Sequence, residues 1–474
     1  MIDPGSFRDR TARVFYSGTT VCRGLTVPAW REWQVLADSR FFQQAMEHGS
    51  IVETAVANPS ISATVNASRE WEGVLTHRTI PFISYPYEWC FGMLKDAALL
   101  HLQLLIVALD EGFILRDATP YNVQWVGAAP TFIDVTSFVQ WRGEPWAGYR
   151  QFCQMFLYPL MLQAYKGVSF QPWLRGRLEG IEAEECRRLL SFRDLFRSGV
   201  LTQVVIQAKL RNRFGGADLR REVKNAGLRS SIIATSVKRL ERVVRALRWS
   251  PGTSAWSDYT SDHRYDDESS AAKEAFVDKV ARRHRGGTVW DLGCNTGRFS
   301  RVAARYAAYV LAVDSDHTSI ERLYGELKSA RQDRVLPLVG DVTDLSPSRG
   351  WFGCERAAFV DRGRPALVLC LALIHHLAIT ANIPIADLIR WFHTLGGELV
   401  IEFPLPEDPM VRRLLRARTQ TYEDYAVTSF EAVLDSRFAI QERVVLPNGS
   451  RVLYHAIPRL PAERLSTHQA DLSS

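Results

Sequence analysis

Acidic residues and glycines at positions 291–297 form the pattern in this sequence that is richest in possible chemistry. Asp291, Gly293, Asn295 and Gly297 follow a short apolar run in the order Asp-x-Gly-x-x-x-Gly. A strand that enters a helix through such a tight turn needs residues that tolerate positive φ, as glycine and asparagine do. A carboxylate at this turn would repel the pyrophosphate of a dinucleotide. The pattern therefore favours a positively charged cofactor.

Two further acids stand at the ends of the next two predicted strands. Asp314 ends the run YVLAVD, 17 residues after Gly297, and Asp341 follows the run RVLPLVG. In nucleotide-binding α/β sheets, an acid about 20 residues after the glycine turn binds the hydroxyl groups of a ribose, and the spacing of Asp314 is near that value. Asp314 could instead cap the helix that follows it. Three acids at three successive strand ends nevertheless predict one ligand crevice at a shared sheet edge.

The apolar runs that carry these residues predict an α/β domain with a doubly wound, seven-stranded, Rossmann-like sheet. PALVLCLALIHHL and GGELVIEFP are nearly continuous apolar runs, which are typical of parallel strands covered on both faces. FAIQERVVLP and RVLYHAIP predict a closing antiparallel pair joined by a turn at Asn448 and Gly449.

A chain of 474 residues is longer than one core usually supports, so two folded units are expected. We predict an N-terminal α+β domain at 1–172, a basic helical connector at 173–255, the α/β domain at 256–460 and a disordered tail at 461–474. Between Arg175 and Arg248 there are 18 Lys or Arg residues against 8 Asp or Glu residues. This segment could attract phosphate, an acidic glycan or anionic lipid, but a solvated connector is the favoured interpretation.

A second group of polar residues lies in the N-terminal half. Asp117, Asn122 and Asp134 have a spacing that resembles the catalytic loop and metal-binding segment of kinase-like phosphotransferases. The resemblance makes Asn122 and Asp134 weak candidates for magnesium ligands. The pattern departs at Leu115, where a histidine is usual, and at Val135, where a glycine is usual, and a glycine-rich nucleotide loop is missing upstream. Three interpretations therefore stay open: a working kinase-like phosphotransferase, a kinase-like scaffold without catalysis, and an unrelated helical domain.

Residues 288–300, TVWDLGCNTGRFS, resemble the first motif of the class I S-adenosyl-L-methionine (SAM) methyltransferases. The resemblance implies that SAM is the cofactor, since SAM carries an ammonium and a sulfonium and no phosphate. It also implies that the adenine is contacted at the end of the third strand. The implied cofactor-binding residues are Asp291, Gly293, Asn295, Gly297, Asp314, Asp341 and Val342.

Candidates for an acid or base follow the fourth and fifth predicted strands. His375 and His376 are neighbours, so only one of them can readily face the crevice, and His376 is preferred. Glu402 could bind an acceptor hydroxyl or pair with an arginine. The run ALIHHL lacks the Asn-Pro-Pro-Tyr-like tetrapeptide of amide and adenine methyltransferases, which favours a small-molecule or glycan-like acceptor. Tyr259 and Tyr265 could fold over the cofactor as lid contacts, or could be surface residues of a linker.

Four segments, IPFISYPYEW, LKDAALL, LRDATPYNVQ and GYRQFCQ, resemble the rhizobial NoeA family of host-specific nodulation proteins, whose methyltransferase domain follows a long N-terminal extension. This resemblance implies a role in nodulation by modification of a signal or surface molecule. A protein of another class, which keeps the methyltransferase fold only for ligand binding or regulation, is the alternative.

The cysteines, the charge pattern and the apolar runs do not indicate a further function. The seven cysteines are scattered without a metal-ligand spacing, so neither a zinc site nor a disulfide framework is predicted. There is no clear nucleic-acid signature. The first residues lack the apolar core of a signal peptide, and the longest apolar run, 98–109, is too short for a transmembrane segment. We therefore expect a cytoplasmic protein, and the sequence does not indicate its oligomeric state.

Overall fold

The computed structural model describes residues 2–65, 70–205, 230–250, 252, 267–419 and 422–459. The chain divides into two compact units. The first contains residues 1–252 with the later segments 328–331 and 347–357, and the second contains residues 253–327, 332–346 and 358–474. Tyr259, Tyr265 and the tail predicted at 461–474 lie outside the described residues.

The first unit begins with an antiparallel sheet of four strands in the order β1-β2-β4-β3. These strands are β1 (Ala12–Ser17), β2 (Thr20–Leu25), β3 (Thr54–Val56) and β4 (Gly73–His77). Three helices connect them, namely α1 (Val27–Ala37), α2 (Arg40–Glu47) and α3 (Pro59–Val65). Two short antiparallel pairs follow, β5 (Phe113–Leu115) with β8 (Phe138–Gln140) and β6 (Val123–Val126) with β7 (Ala129–Phe132).

The core of this unit is built on helix α4 (Phe91–Asp110), whose leucines and alanines have high helix propensity. The helix is followed by Gly112 at φ +81°, a conformation that glycine adopts at helix ends. By length and composition α4 is the one described helix that could cross a membrane, yet 56% of its apolar window is buried within the protein. His101, in its middle, is fully buried and packs near the rings of Phe132 and Phe152. Helix α4 therefore packs here as a core helix.

Among its described residues, the first unit has five more helices: α5 (Tyr149–Phe152), α6 (Tyr158–Lys166), α7 (Gln171–Gly176), α8 (Ala183–Leu189) and α9 (Ser230–Ala246). Helix α9 packs along α4, and Lys95 donates to the carbonyl oxygen of Leu247 at 2.8 Å. The range 173–255 thus differs from the separate connector that we predicted. Its described helices α7, α8 and α9 belong to the first unit, because buried residues such as Val237 and Leu240 make α9 amphipathic and give it a face to bury.

The second unit contains a seven-stranded sheet with the order β11-β10-β9-β12-β13-β15-β14. The strands are β9 (Thr288–Leu292), β10 (Tyr309–Asp314), β11 (Val335–Val339), β12 (Leu367–Cys370), β13 (Glu398–Pro404), β14 (Phe438–Val445) and β15 (Arg451–Pro458). The first five strands are parallel, and β15 pairs antiparallel with both β13 and β14. The predicted doubly wound sheet and its closing antiparallel pair are confirmed.

Helices connect these strands: α10 (Asp267–Ala281), α11 (Arg298–Ala303), α12 (His317–Ser329), α13 (Ile385–Leu395), α14 (Pro409–Arg416) and α15 (Val427–Asp435). All residues of β11 and β12 are buried, as expected for parallel strands between helices. The chain proceeds from the central β9 outward to β10 and β11, then returns to β12 on the other side of β9. This reversal of direction creates the crevice at the carboxyl ends of the strands where ligands of open α/β sheets bind.

Candidate functional site

A cavity of about 460 Å³ lies in the second unit, at the carboxyl ends of the central parallel strands. Its walls come from the turn after β9, the ends of β10 and β11, and the segment after β12. Of the seven cofactor residues that the sequence predicts, the structure brings five together around this cavity: Gly293, Asn295, Asp314, Asp341 and Val342.

The turn after β9 owes its shape to residues with positive φ. Gly293, Asn295 and Gly297 have φ values of 76°, 51° and 74°, so the conformations expected from the sequence are confirmed. The backbone N–H of Asn295 donates to Oδ2 of Asp314 at 2.7 Å, and the N–H of Asp316 donates to Oδ1 of the same residue at 2.8 Å. Burial raises the pKa of Asp314, and these two hydrogen bonds oppose the rise. The turn and the end of β10 therefore hold this carboxylate at the cavity in a fixed orientation.

Asp291 does not line the cavity, contrary to the expectation that it binds the cofactor directly. Its side chain is 1% exposed, and Oγ of Ser300 donates to its Oδ2 at 2.5 Å, which joins β9 to α11. Burial, with a further contribution from the charge of Asp314, raises the pKa of Asp291 to about 7. Asp291 is thus a positioning residue beneath the turn, because its side chain points into the protein from the strand.

Gly297 also does not line the cavity, although it was predicted to bind the cofactor. It stands at the N-cap of α11, and a Cβ atom there would lie 2.6 Å from the side chain of Leu323. A methyl group could not be accommodated at that distance without movement. This glycine is therefore required for the close packing of α11.

Asp341 contributes an exposed carboxylate to the cavity at the end of β11. Its Oδ1 accepts the backbone N–H of Thr343 at 2.8 Å and the hydroxyl of the same residue at 2.7 Å. Val342 follows it and presents an apolar surface. This wall offers one acceptor and one apolar patch, which suits the edge and the face of a purine ring.

Another part of the cavity lining is a cationic wall, which was not foreseen from the sequence. Lys273 of α10 and Arg451 of β15 both line the cavity. Behind them, Glu402 is fully buried and accepts from Nζ of Lys273 at 2.7 Å and from Nη1 of Arg451 at 3.0 Å. Asp408 completes the cluster, since its Oδ2 accepts from Nε of Arg451 at 2.7 Å. The two cations are therefore held in place by two buried carboxylates.

These contacts correct the assignment of Glu402 as a catalytic residue. It does not line the cavity, and although burial alone would raise its pKa, the charges of Lys273 and Arg451 hold that pKa below the usual value. Glu402 also accepts the backbone N–H of Ala372 at 2.9 Å. Ala372 has φ +50°, a sparsely populated region for alanine, so Glu402 fixes a strained turn at the cavity wall.

The two neighbouring histidines differ in their surroundings. His376 lines the cavity, whereas His375 is 1% exposed and lies behind it, with the ring centroids 4.0 Å apart. Burial, together with the charge of Arg451, lowers the pKa of His376 to about 4. Burial lowers the pKa of His375 well below its usual value. Both imidazoles are therefore neutral near pH 7, and only His376 faces the space where an acceptor could lie.

The kinase-like residues of the first unit also approach one another. Nδ2 of Asn122 donates to Oδ2 of Asp134 at 3.5 Å. The other oxygen of Asp134 accepts from Nη1 of Arg23 at 2.7 Å and from the hydroxyl of Thr136 at 2.9 Å. The arginine thus neutralises the carboxylate of Asp134, one of the two magnesium candidates. Burial raises the pKa of Asp117, the third residue of the pattern.

No family model matches this chain. A curated relative, nodulation protein NoeA from Rhizobium meliloti (strain 1021), is 34% identical over 461 residues, which cover 95% of this chain and 94% of the relative. Among solved structures, the N-methyltransferase NodS from Bradyrhizobium japonicum WM9 is 15% identical, covers 41% of this chain and 99% of its own, and has a TM-score of 0.31. A magnesium protoporphyrin IX methyltransferase from Synechocystis PCC 6803 with bound SAH is 15% identical, covers 48% and 95% of the two chains, and has a TM-score of 0.30.

Proposed function

We propose, for a chain that belongs to the family of the nodulation protein NoeA, that its second unit binds SAM and transfers the methyl group to a small-molecule or glycan-like acceptor. The observation that carries this proposal is the position of Asp314. Its carboxylate is fixed at the end of β10 by the N–H groups of Asn295 and Asp316, on the wall of a cavity at the switch point of the sheet.

The polar groups of the cavity suit the parts of SAM. Asp314 accepts backbone N–H groups at both oxygens, and because a carboxylate offers about four acceptor sites, it can still accept a ribose hydroxyl. The acceptor and apolar patch at Asp341 and Val342 suit adenine. The cationic wall of Lys273 and Arg451 suits the carboxylate of the methionine part.

His376 is the residue that we propose to act on the acceptor. Transfer of a methyl group from the sulfonium to an acceptor X–H forms the X–C bond, breaks the S–C bond and releases one proton. The sulfonium is already a good leaving group, so the protein mainly has to align the acceptor and receive that proton. The neutral imidazole of His376 can accept a hydrogen bond from the acceptor, whereas Glu402 is occupied by two cations.

The family and the cysteines support our proposal for the biological setting. All seven cysteines are free, which suits a reducing compartment, and we place the reaction in the cytoplasm. Family membership supports a role in nodulation by methylation of a signal or surface molecule. The alternative, a regulatory protein that binds SAM without turnover, predicts binding of the cofactor and no product.

The test is transfer of tritium from methyl-labelled SAM by the full chain. The acceptors are the small-molecule and oligosaccharide fractions of cells that lack the gene. We expect label in one fraction, and we expect His376→Ala to lower the rate by about 10²- to 10⁴-fold, the range for loss of general acid–base catalysis.

His393→Ala is the matched control, because the ring of His393 bonds to the carbonyl oxygen of Arg459 and does not line the cavity. Its rate is expected to equal that of the unaltered protein. An enzyme that binds SAM but labels nothing in either fraction would support the regulatory alternative. Equal rates for His376→Ala and His393→Ala would remove His376 from the mechanism.

A further inference from the structure

Helix α10 and the residues just after it are fastened to the sheet of the second unit by two polar clusters. Near the middle of the helix, Lys273 pairs with Glu402 in the cluster already described. Just after its end, His284 approaches two residues of the sheet, Glu398 and His455. Glu398 is the first residue of β13, so this second cluster lies at the amino end of that strand, whereas the cavity lies at the carboxyl ends of the parallel strands.

The second cluster brings three donor atoms to one point. Nε2 of His284 lies 3.1 Å from Oε2 of Glu398, and Nε2 of His455 lies 2.6 Å from the same oxygen. The ligand atoms of the three residues all lie within 4.8 Å of one another. The side chains of His455, His284 and Glu398 are 1%, 11% and 26% exposed. The cluster is thus sheltered on the sheet side and open to solvent beside the carboxylate.

We propose that His284, Glu398 and His455 bind a divalent transition-metal ion such as Zn²⁺. Two imidazoles and one carboxylate form a ligand set that such ions prefer, and water can complete the coordination from the solvent side. Ligand atoms of tetrahedral zinc, with bonds of about 2.0–2.2 Å, lie roughly 3.3 Å apart. The 3.1 Å separation at His284 is already close to that value, and the 2.6 Å separation at His455 needs to open by less than about 1 Å.

Metal binding requires little rearrangement of protons. In the metal-free state each Nε2–H can donate to Glu398. Coordination needs the lone pair of Nε2, so the proton of a neutral imidazole must move to Nδ1. Nδ1 of His455 is buried and has no hydrogen-bond partner within the part of the chain that the structure describes, so this change of tautomer breaks no existing bond there.

A fourth side chain near the cluster, the carboxylate of Glu442, is already paired with a lysine. We therefore do not count it among the metal ligands. Glu442 of β14 stands opposite His455 in the ladder, but both of its oxygens accept from Nζ of Lys279, at 2.7 and 2.9 Å. An ion at His284, Glu398 and His455 would therefore tie the end of α10 to β13 and β15. The inference is independent of SAM binding and of methyl transfer, because the cavity lies at the carboxyl ends of the parallel strands.

The test uses the untagged full chain after treatment with a chelator. Calorimetric titration with Zn²⁺ is expected to show one tight site, and Co²⁺ is expected to give the visible absorption of a bound ion. His284→Ala and Glu398→Gln are expected to weaken Zn²⁺ binding at least tenfold, since each removes or neutralises a ligand. Circular dichroism checks that both variants fold. His284 lies beyond the end of α10, which makes its replacement the milder change.

Two controls keep the test specific to this cluster. His393→Ala, in the same unit, and the double variant His263→Ala with His468→Ala, whose positions lie outside the described residues, should both bind Zn²⁺ as the unaltered protein does. Absence of saturable Zn²⁺ binding would mean that the three residues are joined by hydrogen bonds alone, and it would overturn the proposal. Binding that is unchanged in both His284→Ala and Glu398→Gln would overturn it as well. Titration with SAH, run in parallel, reports on the cavity alone.

Discussion

The backbone N–H of Asn295 donates to the carboxylate of Asp314 across 2.7 Å and so joins the turn after β9 to the end of β10. Asn295 makes this bond from within the turn, where its own φ is 51°. The two strands that border the crevice are thereby joined at the wall of the cavity. Changes that disturb the turn should therefore affect both folding and the cavity.

The first prediction concerns the glycine that starts α11. Gly297→Ala is expected to lower the free energy of unfolding by about 2–4 kcal/mol, because alanine is strained at positive φ and its methyl group would overlap Leu323. Gly396→Ala is the matched control. Gly396 has φ +79° and no atom within 4 Å of an added Cβ, so it should lose only about 1–2 kcal/mol, the cost of the backbone conformation. Urea unfolding measures both, and equal losses would show that the packing against Leu323 is unimportant.

A second prediction follows from the raised pKa of Asp291. The folded protein holds the proton up to about pH 7, whereas the unfolded chain releases it near the usual value of 3.8. The folded state therefore binds more protons between these values, and the contribution of this group to stability falls as the pH rises from about 4 to about 7.

Asp291→Asn removes this dependence, because the amide cannot ionise and its oxygen can still accept from Ser300. Relative to the unaltered ligand-free protein, the variant should gain roughly 2 kcal/mol of stability between pH 5 and pH 8. Urea unfolding at the two pH values provides the measurement. The exposed Asp333→Asn serves as control and should show no such gain. If the difference in stability between Asp291→Asn and the unaltered protein were the same at pH 5 and pH 8, the raised pKa of Asp291 would be contradicted.

A third prediction compares two ion pairs that fasten α10 to the sheet. Glu402→Gln leaves Lys273 and Arg451, whose side chains are 8% and 2% exposed, without their shared negative partner. The expected loss of stability is about 3–5 kcal/mol, as for other buried pairs broken on one side. Hydrogen exchange of α10 should rise in parallel.

The pair Lys279 and Glu442 provides the matched control on the same helix. Its side chains are 53% and 28% exposed, so Glu442→Gln should cost less than about 1 kcal/mol. Comparable losses in the two variants would mean that the cluster around Glu402 contributes no more than a surface ion pair. Activity is not needed for this comparison.

Local patterns in the sequence were sufficient to predict the strands of the sheet and many of the residues that line the cavity. The parallel strands are continuous apolar runs, and the glycine and asparagine positions of the turn each need positive φ, so residue type reveals them directly. The same local pattern could not show that Asp291 points inward, since both faces of β9 are buried. From its position at the end of the strand, Asp291 was therefore predicted to lie at the crevice, whereas its carboxylate accepts a hydrogen bond from Ser300.

The cationic wall and the cluster beyond α10 could not be predicted, because their members are distant in sequence. Lys273 and Glu402 are separated by 129 residues, and His284 and Glu398 by 114. One signal was present: Arg451 stands in a largely apolar, buried strand, where a charged residue needs a buried partner. In the first unit, spacing placed Asn122 near Asp134 but could not reveal Arg23, which reaches Asp134 from a strand 111 residues earlier.

Calorimetric titration of the full chain with S-adenosylhomocysteine tests whether the cavity binds the methyl donor. We expect saturable binding of one ligand per chain. We also expect at least tenfold weaker binding for Asp314→Asn, or about 1.4 kcal/mol or more, with Asp333→Asn unchanged. Absence of saturable binding, or equal affinity in Asp314→Asn, would contradict the claim that this cavity holds the methyl donor.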